Sequence, residues 1–142
     1  MARDLHSNFD FVESIDPVAV GTTGTGQTGA VVDRRGYNAV EMLVSYGAIT
    51  ATAAEFTVTM LEGDATGAMT SVADADLLGT ELGAGLAAAT RVDSSTENVT
   101  KRLGYIGEKR YVQAKIVSTA TAGTPVAAGF ILGKPHRAPV AT

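Results

Sequence analysis

The chain has no cysteine and no tryptophan, and only two histidines, His6 and His136. Without cysteine there can be no disulfide staple, thiolate zinc site or cysteine nucleophile. Two histidines at opposite ends of the sequence also exclude a histidine-rich metal centre. Charged residues are scarce, 18% against 45% hydrophobic. That balance excludes a disordered, highly charged chain. No apolar run approaches the roughly 18 residues of a membrane span. The most apolar window, residues 80–89, is rich in Ala and Gly and carries Glu81. The first eight residues lack the apolar core of a secretory leader. The expectation is a protein made in a cytoplasm and kept there or assembled into something larger. The 142 residues, with net charge -4 and a pI near 5.0, fit one domain with a sizeable core.

The hydrophobic period is two. Val40, Met42, Val44 and Tyr46 share one face of residues 38–46, and Phe56, Val58 and Met60 share one face of residues 54–62. Val112, Ala114 and Ile116 alternate with Gln113 and Lys115, and Val126, Ala128, Phe130 and Leu132 form a fourth set. Such alternation marks half-buried antiparallel strands. Breakers at 47–52, 62–67 and 119–123 bound the runs, and the first two and last two runs read as hairpins. Weaker strands are expected at 10–15, 18–20, 30–32, 87–92 and 98–106, with a helical turn or loop at 71–78. No segment sustains a helical stripe over three turns. Short strands in this number imply two packed sheets. The expected fold is all-β: one antiparallel β-sandwich, jelly-roll-like or immunoglobulin-like, over residues 11–133. Residues 1–10 read as an N-terminal arm and residues 134–142 as an extended C-terminal arm. Pro135 and Pro139 bias the latter to extended geometry. Such a tail is expected to be disordered or laid along a neighbour.

Charge is unevenly placed. Residues 1–100 hold four cations against fourteen acids, and residues 101–142 hold seven cations against Glu108 alone. This asymmetry suits contacts between copies, acidic part to basic part, or simple solvation of both. Nucleic acid is not the expected partner. The cations come in scattered pairs and no aromatic series interleaves with them.

Catalytic patterns are weak. Gly24–Gly29 matches G-x-G-x-x-G, but no helical stripe follows it to hold a pyrophosphate. Asp64, Asp74 and Asp76 lack the ligand spacing of a calcium loop and read as turn acids. There is no G-x-S-x-G elbow, and both histidines lie near chain ends. No carboxylate pair stands out for glycoside hydrolysis. No catalytic, cofactor or metal site is expected, and the protein is expected not to be an enzyme.

Four stretches carry a resemblance: Asp33–Val40, Val72–Thr80, Leu103–Val112 and Ile131–Val140. Their order resembles a family of small structural proteins of tailed bacteriophages and prophages. Gly-Tyr-Ile-Gly at 104–107 with Lys-Arg-Tyr-Val at 109–112, and Pro-His-Arg-Ala-Pro-Val at 135–140, are the most specific parts. The resemblance implies a virion component, a decoration or cement protein on the outer face of a capsid. Its implied partners are the major capsid protein and further copies of itself, as trimers or dimers. Arg34, Arg35, Lys109, Arg110 and Arg137 are the expected salt-sensitive contacts. Pro135, His136 and Pro139 are the expected contacts of the extended tail. Two other readings stand beside it. One is a tail-tube, tail-completion or head–tail connector protein. The other is a carbohydrate-binding sandwich, which the absence of tryptophan disfavours.

Overall fold

A computed structural model describes residues 4–20, 26–49, 54–89, 98–118 and 124–140, with the side chains of residues 54 and 86–89 left aside. A 3-10 turn at His6–Asn8 leads into β1 (Phe9–Val20), followed by β2 (Gly26–Thr28), β3 (Val32–Asp33), β4 (Tyr37–Tyr46) and β5 (Ala54–Gly63). Then come β6 (Thr70–Ser71), a 3-10 turn at Asp74–Asp76, β7 (Leu77–Leu78), the short helix α1 (Glu81–Ala84) and β8 (Leu86–Ala89). The chain closes with β9 (Val99–Tyr105), β10 (Tyr111–Ser118) and β11 (Thr124–Pro135).

The strands form two sheets. A five-stranded sheet has the order β1-β11-β4-β9-β7. A six-stranded sheet has the path β2-β10-β5-β6, with β3 beside β10 and β8 beside β5. Every pairing among them is antiparallel. We count β2 with β3 as one interrupted strand and set aside the two-residue β6 and β7. Eight strands remain. The first, eighth, third and sixth make one sheet; the second, seventh, fourth and fifth make the other. That order is the jelly roll, a double-sheet solution built from two Greek keys. It decides between the two sandwich types that alternation left open.

The two pairs expected to be hairpins are not hairpins. β4 and β11 pair in one sheet, β5 and β10 in the other. The chain therefore changes sheet between β4 and β5, and again between β10 and β11; residues 50–53 and 119–123 of those connections lie outside the described residues. The physical reason is that alternation reveals one buried face but not which sheet owns it. Both sheets face the same core from opposite sides, so one pattern serves either.

The core contains the set that alternation selects, with Leu103, Ile15, Val32 and Leu77 added from the other strands. Met42, Val44, Met60, Leu103, Ile116, Phe130 and Leu132 are all but sealed from solvent. Tyr46 is buried among them, with its ring 5.5 Å from that of Phe56. Its hydroxyl donates to the Ala84 carbonyl at 2.7 Å, and burial pushes its pKa far up. At one margin Ser14 ties the sheets together. Its Oγ donates to the Ala30 carbonyl at 2.7 Å and accepts the Ala114 amide at 3.2 Å.

The weaker strands divide. Residues 10–15 and 18–20 join into the single strand β1, with register shifts between Glu13 and Val18. The 98–106 run is β9, and the 71–78 segment contains the 3-10 turn. Of the 87–92 run, β8 covers the first part and residues 90–92 are outside the described set. The 30–32 run is strand only from Val32.

Candidate interaction surface

The jelly roll brings all eight candidate contact residues to one end of the sandwich. The turn between β3 and β4, the β9–β10 connection and the end of β11 meet there. Tyr111 pairs with both Asp33 and Gly63, and Tyr37 pairs with Pro135.

The turn at Arg34–Tyr37 closes with the Tyr37 amide donating to the Arg34 carbonyl at 3.0 Å. Gly36 has φ +96°, a left-handed conformation that glycine takes without the Cβ penalty. The Asp33 carboxylate accepts the Arg35 amide at 3.0 Å and fixes the entry to the turn. The same carboxylate takes two bonds from Arg110, through Nη2 at 2.6 Å and Nε at 3.1 Å. Arg110 in turn lies 4.8 Å over the Tyr111 ring. This charge-assisted fork holds the Asp33 carboxyl below the usual carboxylate range.

Tyr105 organises the neighbouring loop. Its hydroxyl donates to Glu62 Oε2 and accepts the Lys109 amide at 3.0 Å. Burial, helped by the Glu62 carboxylate, pushes its pKa well up. Arg34 stacks 5.3 Å from the Tyr105 ring centre and donates to the carbonyls of Gly107 at 2.9 Å and Lys109 at 2.5 Å. Lys109 Nζ reaches Asp64 at 2.6 Å, which raises the lysine pKa. A Cβ on Gly107 would stand 2.5 Å from the Tyr105 hydroxyl, and one on Gly104 would stand 2.9 Å from Leu78 and Glu41. The Gly-Tyr-Ile-Gly motif is thus a loop that closes on its own tyrosine.

These contacts separate the expected contact residues into two groups. Arg34, Lys109, Arg110 and His136 bond within their own chain, and Pro135 pairs with Tyr37. Arg35, Arg137 and Pro139 are exposed. The Arg35 and Arg137 side chains have no bonding partner among the described residues. The sequence-level charge asymmetry also acquires a meaning. The described ion pairs, Arg110–Asp33, Lys109–Asp64 and Arg102–Glu41, each join a cation from residues 101–142 to an acid from residues 1–100. The two parts of the chain interleave strand by strand, so their opposite charges meet inside one molecule.

Through Val140 the tail lies along its own domain. The His136 amide donates to Gly36 O at 2.8 Å and its ring Nε2 is 2.9 Å from Asn38 Oδ1. The Val140 amide donates to Ser7 O at 3.0 Å, which ties the two ends of the chain together. Between the tail and Tyr37 runs an open hollow of about 480 Å³, edged by Gly36, Pro135, Arg137 and Val140.

Among the described residues, no group of three or more His, Asp or Glu side chains is placed to hold a metal ion. Gly26–Thr28 pairs as a strand with Lys115–Val117, so the glycine pattern opens no helix; Gly24 and Thr25 are outside the described residues. No helix among the described residues is long and apolar enough to cross a membrane. Sequence reasoning missed Tyr105, Asp33, Glu62 and Asp64 as members of the network. The signal for Tyr105 was its position between two glycines. It also missed the exposed apolar side chains Phe11, Leu78 and Ile106. Alternation selected buried positions and left the outer face of these strands unread.

Fold and surface together define a jelly-roll sandwich with a knotted, cation-bearing end. No family model matches the chain, and no curated protein does. Solved structures share its fold. The prophage PBSX exported protein XepA matches with a TM-score of 0.56 and 12% identity, over 100% of this chain and 42% of that one. The infectious bursal disease virus VP2 subviral particle matches with a TM-score of 0.55 and 7% identity, over 90% of this chain and 33% of that one. The Cyanophage Pam1 capsid asymmetric unit matches at 0.49 and 10% identity, over 95% of this chain and 91% of that one. The chain spans less than half the length of the first two. At these identities the likeness to those two is one of fold.

Proposed function

We propose that this chain is a non-enzymatic structural component of a bacteriophage virion, a decoration or cement protein on the outer face of the capsid. The observation that carries the reading is the convergence of the four motif stretches. Asp33–Val40, Val72–Thr80, Leu103–Val112 and Ile131–Val140 are spread along the sequence, yet the sheets gather them at one end of the sandwich. A jelly roll shared with a prophage protein and a viral capsid protein is consistent with it, although a fold alone does not assign a function.

In this reading the knotted loops are the rigid platform and the exposed Arg35 and Arg137 are the charges that meet an acidic shell surface. Many copies act at once, so a modest contact per copy is multiplied. Binding to the assembled shell alone stabilises the shell by linkage. The test is co-sedimentation of the purified protein with empty capsids at low and high salt. Stoichiometric pelleting at low salt, lost at high salt and weakened by Arg35→Glu with Arg137→Glu, supports the reading. Failure to pellet, or placement at a single vertex in only a few copies, overturns it in favour of a connector. A hit in a glycan-binding screen would instead favour the carbohydrate-binding alternative.

A further inference from the structure

We propose that the outer face of the five-stranded sheet binds a second copy of this chain through a two-fold contact. The inference stands on that face alone and does not depend on the capsid reading. Residues directly opposite on neighbouring antiparallel strands project from the same side of a sheet. The register therefore lays out the outer face in rows. One row reads Phe11, Ile131, Glu41, Gly104, Leu78 across β1, β11, β4, β9 and β7. The next reads Glu13, Gly129, Leu43, Arg102.

Each row has its bulk or charge at the ends. Phe11 and Leu78 are 50% and 58% exposed, and Ile106, just beyond β9, is 56% exposed. Glycines 104 and 129 leave low ground between. The Phe11 ring leans over Gly129, and Leu78 overhangs Gly104. A hollow of about 280 Å³ lies between Ile131, Leu78 and Ile106, over Ala39. A cavity of ~150 Å³ already takes a benzene-sized ring.

A two-fold axis parallel to the strands reverses the strand order and keeps the rows level. It sets the β1 edge of one copy over the β9–β7 edge of the other. Phe11 then meets Leu78 and the hollow beside it, and Glu13, one strand out of line, comes within side-chain reach of Arg102. Both contacts occur twice. The pattern is its own complement, which a surface made for an unrelated partner has no reason to be. An axis across the strands would instead set Phe11 on the β1 edge of the other copy and leave Glu13 facing its like. Glu41, near the centre, leans over Gly104 toward Arg102, 3.8 Å away, so that Arg102 lies between Glu41 of its own copy and Glu13 of the other.

The experiment is light scattering on the full chain over a concentration series, with the fold of each variant checked by circular dichroism. The wild type is expected to be a dimer. Leu78→Asp, at an exposed position, is expected to weaken the dimer at least about tenfold while the chain stays folded. Glu13→Arg, which sets a second cation against Arg102 and leaves the Glu41–Arg102 pair in place, is expected to weaken it, and Glu13→Gln to weaken it less. A monomer at all concentrations overturns the proposal, because this face then serves another partner. So does a trimer, a dimer indifferent to Leu78→Asp, or a dimer indifferent to Glu13→Arg.

Discussion

The two outer faces of this sandwich differ sharply although the same core lies under both. The five-stranded sheet turns outward Phe11, Ile131, Leu43, Ala39 and Leu78, with Glu41, Glu13 and Arg102 as the charges in those two rows. The six-stranded sheet turns outward Thr57, Thr59, Gln113 and Lys115, in register with the half-buried Leu61 and Val117. None of its described side chains is large, apolar and exposed as Phe11 and Leu78 are, so that face is at home in water. A face of phenylalanine, isoleucine and leucine on a sheet is the one that gains from being covered. Both strand sets alternate equally well on the inside, so the difference lies wholly in the residues that alternation assigns to solvent.

Four changes test this contrast. The largest effect comes from removing what the faces share. Phe130 is fully buried between the sheets, and Phe130→Ala is expected to cost about 3–5 kcal/mol in urea denaturation. It should loosen both sheets alike, seen as loss of amide protection in β4 and β5 together. The second acts at the seam. Ser14→Ala leaves the Ala114 amide and the Ala30 carbonyl without their partner, at a cost of about 1–3 kcal/mol. The third separates the faces. Leu78→Ser and Thr57→Ser are both exposed changes, each expected to stay within about 0.5 kcal/mol of wild type in stability. Only the first should lower binding of a hydrophobic dye or the tendency to associate.

The smallest effect concerns the charged end. Asp33 has its pKa lowered, first by the Arg110 hydrogen bonds, so its contribution is present above the ordinary carboxylate pKa. That contribution is lost as pH falls through the depressed value. Asp33→Asn should therefore be slightly less stable than wild type at pH 7 and equal to it in strong acid. Because both partners are partly exposed, salt should narrow the gap. A difference that grew on acidification would contradict the assignment.

The inner faces of β4, β5, β10 and β11 were legible, residue by residue, because a two-residue period has no other reading at that length. Their partners were not. Strand pairing is a long-range choice between two sheets with the same inward requirement, and no local signal distinguishes a hairpin turn from a crossing. β2 was invisible for a related reason. Gly26, Gln27 and Thr28 have little strand preference, and they are held extended by Lys115–Val117, some ninety residues later. At the candidate surface the sequence shows the cations but not the bonds they make within the chain. Arg34, Lys109 and Arg110 looked like free cations until the fold set Asp33, Asp64 and the loop carbonyls against them.

The place of β11 has a consequence for how the protein is made. β11 follows every other described strand in the sequence, yet it lies between β1, which precedes them all, and β4. Until it arrives, β1 has no neighbour in its sheet, and the inner edge of β4 is bare. The growing chain therefore carries an open seam until β11 has emerged. Closure of the five-stranded sheet then joins strands from far apart in the sequence in one late step.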